Sequence, residues 1–353
     1  MKKTFTLTCL VLASIIGAGF ASGKEIQVFF TKYGVISFVC IGISFFLFYY
    51  LTKLYLTYGN KFKPATFFDA NKCIFGKHAN IFNIFFLVCY LIVLAGMFAG
   101  VYEIYLNISN PIWAKVLVVI TAFLCAIENS GGIKTMNIIN NIFIPLTMLI
   151  LLVSALLSFK NLVPQNNIIT INNTVGAVGS LIVYLGMNLL LTSGVLMQVG
   201  KNYSTKTIKN SAILSAFVLV LIILIFNVAL YFNNISTEMP MLTLAFNINY
   251  WWGLLVLICI WFCVYSAITS LTYVIVGYFS SSKQNNFAYN LIVVFIAYII
   301  SLFGFSEIVS YLYPIIGVVG TIYSIVIFFK VKQIKNKNLT TMQSGENMRI
   351  KGN

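Results

Sequence analysis

The stretch LASIIGAGFASGKEIQVFF, residues 12–30, has the apolar character of a membrane helix together with features that interrupt one. It contains three glycines within seven residues, and Lys24 and Glu25 follow directly. Charged side chains inside a membrane segment are costly and usually serve a function. The stretch therefore predicts a spanning helix that is broken near its middle.

The composition of the whole chain places this helix in a membrane protein. Of the 353 residues, 60% are hydrophobic and 8% are charged, and the mean hydropathy is +0.96. Soluble domains carry about 25% charged residues, so a chain this poor in charge has lipid around much of its surface. Because backbone polar groups in lipid must be bonded within the protein, we expect an all-α integral membrane protein.

Apolar runs of about 17 to 25 residues are long enough to cross a bilayer as helices. We place about ten, and counts of nine or eleven stay open because the fourth and ninth runs are short. The ten runs lie at roughly 5–30, 35–58, 81–106, 112–127, 138–158, 175–199, 210–232, 252–279, 288–303 and 308–329. They form one transmembrane domain, 1–330, followed by a polar tail at 331–353. Before the eighth run, residues 236–249 predict a surface helix or loop.

Lysine placement predicts the orientation, because cytoplasmic connections retain Lys and Arg. If the N-terminus is inside, every strongly basic connection falls on the cytoplasmic side: the loop 59–80, Lys134, the loop with Lys201, Lys206 and Lys209, Lys283 and the tail. The opposite side keeps Lys24, Lys32, Lys115, Lys160, Glu103, Glu238 and Glu307. An even number of spans with both termini in the cytoplasm fits this pattern.

Ten spans divide into two sets of five, at about 5–158 and 175–329, and corresponding members share an anomaly. The sixth span, like the first, carries unexpected residues near its middle, here Gly186 and the polar Asn188. Paired interruptions are typical of inverted-repeat transporters whose binding site lies between two broken helices. We therefore predict that helices one and six are both broken.

The two predicted breaks define a candidate binding site. Glycine permits unwound backbone and lets a ligand approach it, and the N-terminus of the second half-helix, near Gly23, attracts a carboxylate. The candidate substrate-binding residues are Gly17, Ala18, Gly19, Gly23, Tyr184, Gly186 and Asn188. Two alternatives stay open: the small residues only allow close helix packing, and Asn188 only joins helices.

Glu25 is the candidate coupling or gating residue, because it lies in the first turn of the second half-helix. A carboxylate at that position is favoured by the helix dipole. The alternative is that Glu25 and Lys24 face a water-filled vestibule and are solvated or paired.

The first-helix motif also carries a family resemblance. IIGAGFASGKEI resembles the first-helix motif of the amino acid–polyamine–organocation superfamily, and GAGFASG followed closely by Glu resembles the YkvI-like bacterial membrane proteins. The resemblance implies the leucine-transporter-type fold, a transporter-like site and a location in a bacterial cell membrane. Lys24 departs from the pattern, where a neutral Gln is expected, and its role stays open.

The same resemblance implies a sodium site. In YSAITSLTY, residues 265–273, three hydroxyls lie on one helical face. In sodium-coupled members of the fold, such a face completes a sodium site with carbonyls of the first helix. The implied ligands are Ala13, Ile16, Ser266, Thr269 and Ser270. The hydroxyls can instead bond within their own helix. Span five contains no lysine of the kind that proton-coupled relatives place there.

These observations predict a secondary active transporter of an amino acid or similar small zwitterion, coupled to sodium and working by alternating access. The alternative is a receptor or channel on the same scaffold that does not concentrate its ligand. The expected partners are a small-molecule substrate and the lipid bilayer.

Other function classes are disfavoured by composition. One histidine and seven acidic residues give no clustered nucleophile and base, so we expect no enzyme. The net charge of +15 is spread over short loops, so we expect no nucleic-acid binding. Seven scattered cysteines predict buried free thiols, and we expect no cofactor apart from sodium.

Overall fold

The computed structural model describes residues 2–64, 67–131, 134–161, 171–279 and 287–350. Within these ranges, only the backbone is described for Ala18 and for residues 131–145, 160–161, 171–172 and 334–350. Fifteen α-helices and no strand occur in the described residues. Lys283 lies outside them.

The first predicted span consists of three short helices. They are α1 (Lys2–Ile15), α2 (Ala18–Ala21) and α3 (Lys24–Phe29). A 3₁₀ turn at Thr31–Tyr33 leads to the next helix. The predicted break in the first helix is therefore confirmed.

The next five helices complete the N-terminal half of the chain. They are α4 (Ile36–Phe62), α5 (Phe67–Phe75), α6 (Ala79–Leu106), α7 (Pro111–Gly131) and α8 (Lys134–Leu157). The predicted loop 59–80 thus contains the helix α5. Its apolar residues Phe67, Ala70 and Ile74 recur at helical spacing, and this face is buried against the bundle.

The C-terminal half begins with a long helix. Its elements are α9 (Ile171–Gly200), α10 (Thr205–Phe232), α11 (Pro240–Ile248), α12 (Tyr250–Phe279), α13 (Phe287–Ser301), α14 (Phe305–Glu307), a π-helical turn at Ile308–Leu312, and α15 (Tyr313–Ile350). Helix α15 therefore continues into the predicted tail. Helix α9 is central, because it packs against α4 and α15, and α4 packs in turn against α10.

Seven described helical segments are long and apolar enough to cross a membrane. They are Ile36–Phe62, Phe67–Leu106, Pro111–Ser130, Asn173–Gly200, Thr205–Phe232, Tyr250–Phe279 and Phe305–Gln333. Leu146–Leu157 and Phe287–Ser301 are shorter apolar helices. Large side chains such as Phe46, Ile112 and Trp251 are 68%, 76% and 76% exposed, as suits a lipid-facing surface. The chain is an all-α membrane protein, while the count of ten and the inverted repeat stay predictions.

The predicted break in the sixth span is wrong, because α9 runs without interruption. Gly186 lies against α15, where an added Cβ would collide with the backbone carbonyl of Gly317. The Asn188 side chain donates to the Tyr184 carbonyl, 3.0 Å away and one turn earlier. Gly186 therefore serves helix packing, and Asn188 bonds within its own helix.

Residues 236–249 match the predicted surface helix or loop only in part, because both ends of the segment are exposed and its middle is buried. They contain α11, whose residues Pro240, Met241, Leu242, Leu244 and Ala245 are buried. The Met241 N–H donates to the Ser22 carbonyl at 2.9 Å. This segment is drawn inward because the broken first span offers it a free backbone acceptor.

Candidate functional site

The first span is interrupted at two points. Its regular hydrogen bonds end at the Ile16 N–H, which donates to the Leu12 carbonyl at 3.0 Å. The second interruption is at Gly23, which has φ 80°, in the left-handed region that glycine enters without a Cβ penalty. The helix resumes with α3, and the short helix α2 lies between the two breaks.

The Glu25 side chain folds back onto the break. It is 5% exposed, and it fills the space beside Gly19, where an added Cβ would collide with the Glu25 carboxylate. The Glu25 Oε2 atom is buried and has no hydrogen-bond partner among the described residues. Glu25 Oε2 is therefore neither solvated nor paired, whereas Lys24 is paired with Glu238, so the alternative drawn from the sequence holds for Lys24 alone.

Two tyrosines from distant helices complete the surroundings of Glu25. Tyr184 on α9 and Tyr313 on α15 are 0% and 1% exposed, and within the described chain neither hydroxyl has a hydrogen-bond partner. Both interact electrostatically with the Glu25 carboxylate. The Tyr313 hydroxyl lies over Gly96 of α6, 2.8 Å from the position of an added Cβ. We call Glu25, Tyr184 and Tyr313 the Glu25 cluster.

Aromatic side chains surround Tyr184 of the Glu25 cluster. The Tyr184 ring lies 5.4 Å from the Phe29 ring, 5.0 Å from the Phe30 ring and 6.2 Å from the Phe48 ring, measured between centroids. Such surroundings have a low dielectric, in which electrostatic interactions are strong and unpartnered polar groups are costly. Buried polar side chains without partners are rare in proteins, so three in one place indicate a ligand site.

The other predicted substrate-binding residues are less directly involved. Gly17 borders the Met97 side chain at 3.7 Å, measured from an added Cβ, and Gly23 borders Met241. Gly186 faces α15 rather than the break. The Asn188 side chain lies near the Tyr184 hydroxyl, but its Nδ2 donates to the Tyr184 carbonyl and makes no hydrogen bond of good geometry with the hydroxyl.

The connection between α10 and α11 covers the broken span. Lys24 Nζ donates to the Thr237 carbonyl at 3.1 Å and lies 3.9 Å from Glu238 Oε2. Gln27 Nε2 donates to the Ile235 carbonyl at 2.6 Å. Together with the bond from Met241 to Ser22, these contacts fix residues 235–241 over the break. We call this segment the cover.

The charged residues around the cover come from four parts of the chain. Lys24 interacts electrostatically with Glu238, Glu307 and Glu103. The lysine rule assigned these four residues to the same side of the membrane, and the structure brings them together. Lys24 is thus directed toward the cover and away from the Glu25 cluster.

The predicted sodium ligands are only partly assembled. Ser266 and Thr269 are buried and Ser270 is half-buried on α12, which packs against α2. The Thr269 hydroxyl donates to the Ser266 carbonyl at 3.0 Å, the bond within the helix given as the alternative. The Ile16 side chain is buried, whereas that of Ala13 is exposed. Sodium binding stays a prediction.

A second polar cluster, between α7 and α12, was missed from the sequence. The Tyr265 hydroxyl donates to Glu128 Oε2 at 2.6 Å, and Asn129 Nδ2 donates to the Thr269 carbonyl at 3.2 Å. Within the described chain, Glu128 Oε1 and Asn129 Oδ1 are buried without partners. The signal was present, because a carboxylate in an apolar span marks function. The predicted fourth span ended at 127, which placed Glu128 outside the membrane.

Comparison with known proteins gives one informative relative. No family model matches the chain. Over 337 residues, the chain is 25% identical to a protein of Bacillus subtilis (strain 168) named "Uncharacterized membrane protein YkvI". The similarity covers 89% of this chain and 92% of the relative. It supports a YkvI-like membrane protein, as the first-helix motif indicates.

Proposed function

We propose that this protein is a secondary active transporter of an amino acid or similar small zwitterion, with the scaffold of the amino acid–polyamine–organocation superfamily. The observation that carries the proposal is the broken first span with the Glu25 cluster beside it. A protein that needed only a stable bundle would not retain three buried polar side chains without partners. A polar solute supplies those partners.

The cover provides a means of alternating access. Residues 235–241 bond to the broken span through its backbone and through Lys24 and Gln27. Release of the cover opens the break on that side of the protein. Closure excludes water, and the bound solute then leaves by the opposite side.

Sodium is the proposed coupling ion, held by Ser266, Thr269 and Ser270 with carbonyls near Ala13 and Ile16. One sodium ion entering with the membrane potential provides about 2.3 kcal/mol per 100 mV. A tenfold gradient of a neutral solute requires about 1.4 kcal/mol. A single ion therefore supports a gradient of roughly fiftyfold before its own concentration difference is counted.

Uptake into proteoliposomes tests the function. The full chain is reconstituted, and accumulation of a radiolabelled amino acid mixture is followed under an inward sodium gradient, with choline in place of sodium as the control. We expect accumulation above the external concentration in sodium alone. Equal uptake in both media would contradict sodium coupling, whereas stabilisation by amino acids without accumulation would favour the receptor or channel alternative.

Replacement of Thr269 by Val tests the sodium ligands directly. The substitution keeps the side-chain shape but removes the hydroxyl oxygen. We expect a lower sodium affinity and, through linkage, weaker binding of the solute at a fixed sodium concentration. Ser270→Ala should act in the same direction. Unchanged sodium dependence in both variants would exclude this face as the site.

A further inference from the structure

We propose that the Glu25 cluster binds a primary ammonium group, so that the transported solute carries an amine. Transport of the bound solute rests on the proposed function, whereas binding at the cluster is measured without it. The proposal stands on the geometry around the first break and on the three unpartnered oxygens there.

The break already holds an acidic side chain that belongs to the protein, and a cation bound beside it would favour its ionised form. The Glu25 carboxylate fills the space beside Gly19, where the sequence had suggested a carboxylate of the substrate. A second carboxylate placed there would be repelled, and strongly so in a low dielectric. The ligand that complements this position is a cation.

Two of the backbone donors at the second break are also occupied. The Gly23 N–H donates to the Phe20 carbonyl at 3.1 Å, and the Lys24 N–H donates to Ser22 Oγ at 3.2 Å. These groups are therefore not free to receive an anion. The unpartnered groups beside the break are one carboxyl oxygen and two tyrosine hydroxyls, each of which can accept a hydrogen bond.

The cluster matches an ammonium group in number and type. Glu25 Oε2 and the hydroxyls of Tyr184 and Tyr313 are three buried oxygens without hydrogen-bond partners in the described chain. An ammonium group has three N–H donors and no acceptor. Hydrogen bonds between a charged donor and a carboxylate are among the strongest that proteins make.

No lysine of the described chain satisfies Glu25. The adjacent Lys24 is directed to the Thr237 carbonyl and Glu238. The walls around Tyr184 are aromatic, formed by Phe29, Phe30 and Phe48. Hard metal ions such as Mg²⁺ and Ca²⁺ take six or more oxygen ligands, and phenyl rings provide none. The apolar walls instead suit the alkyl carbon that is attached to an ammonium group.

Binding to the purified full chain in lipid nanodiscs tests the proposal. The probes are primary alkylamines from methylamine to hexylamine and, as matched anions, the alkyl carboxylates of the same chain lengths. Sodium chloride against choline chloride, without amine, is a third arm. We expect the amines to stabilise the protein against thermal unfolding in a saturable way. The carboxylates should not do so.

Variants assign the effect to the cluster. E25Q keeps the side-chain shape and removes the charge, and we expect it to weaken amine binding about tenfold to a hundredfold. Y184F and Y313F each remove one hydroxyl and should weaken it several-fold. E103Q is the matched control, because it neutralises a carboxylate outside the cluster, and it should change amine affinity less than about twofold.

Two results would overturn the proposal: carboxylates that bind as well as amines, or amine binding that E25Q leaves unchanged. Stabilisation by sodium alone that depends on Glu25, with none from amines, would also overturn it and make the cluster a metal site. Accumulation of solutes without an amine would leave the transporter standing and remove the ammonium site. Glu25-dependent amine binding without accumulation would support the ammonium site and contradict the proposed transport function.

Discussion

The first span and α9 both carry glycines in the middle of an apolar stretch, yet only the first span is broken. Beside Gly19 the free space is filled by the carboxylate of Glu25. Beside Gly186 it is filled by the backbone of Gly317 on another helix. A glycine in a membrane helix is therefore found at an unwound position where polar groups replace the lost helical bonds. It is found in a regular helix where a second backbone packs closely against it.

The first span and α9 also differ in the interactions that stabilise their conformations. In the broken span, the freed Ser22 carbonyl accepts a hydrogen bond from the Met241 N–H of the cover. Helix α9 is held by van der Waals contact with α15, where Gly186, Gly317 and Gly320 bring the two backbones together. Substitutions at the two positions should therefore have different consequences.

Gly186→Val should have the largest effect on stability. The new side chain would collide with the Gly317 carbonyl and with the backbone of Thr321, neither of which can move without separating the helices. We expect a loss of about 3 kcal/mol or more, at the upper end of overpacking. Gly179→Val is the matched control on α9, because nothing lies within 4 Å of an added Cβ there. Thermal unfolding in nanodiscs measures both, and equal losses would refute the packing role.

Gly19→Ala should have a smaller effect on stability and a larger one on binding. The added Cβ meets the end of a flexible side chain, so Glu25 swings away at a cost of about 1 kcal/mol. Alkylamine affinity should fall about tenfold, since the carboxylate leaves its two tyrosines. Gly42→Ala, in open space on α4, serves as the control. Normal amine binding by Gly19→Ala would show that amine binding does not depend on the position of Glu25 beside the break.

Lys24→Met should have the smallest effect on stability. Glu238 is 43% exposed, and ion pairs with an exposed partner contribute about 0–1 kcal/mol. The cover should nevertheless open more often, since the bond to the Thr237 carbonyl is also lost. Faster hydrogen exchange at residues 235–241, with α9 unchanged, is the expected result. Unaltered exchange there would show that Lys24 does not hold the cover.

Local sequence was sufficient to predict the first break but not the course of α9. The signals for the break, glycines followed by Lys24 and Glu25, lie within one segment and act on it. The role of Gly186 depends on Gly317 and Gly320, which are distant in the chain and approach only in the folded bundle. Glycine spacing within one helix does not reveal which neighbour will approach it.

The candidate site was predicted in part for the same reason. Glu25 and Tyr184 were recognised because each lies near an anomaly in its own span. Tyr313 was not, since it reaches the cluster only through the packing of α15 beside α9. Glu128 was not recognised, because the predicted fourth span ends a few residues too early. Hydropathy locates spans well, but their ends and mutual contacts depend on tertiary packing.

The hydrogen bond from the Met241 N–H to the Ser22 carbonyl couples the bend in the first span to the position of the cover. In an unbroken helix, the carbonyl of residue 22 accepts the N–H of residue 26. Here the same oxygen is used by the cover. Movement of the cover away from the first span would break this bond and leave the Ser22 carbonyl free for the Ile26 N–H. A cross-link between positions 22 and 241 should therefore hold the cover against the span.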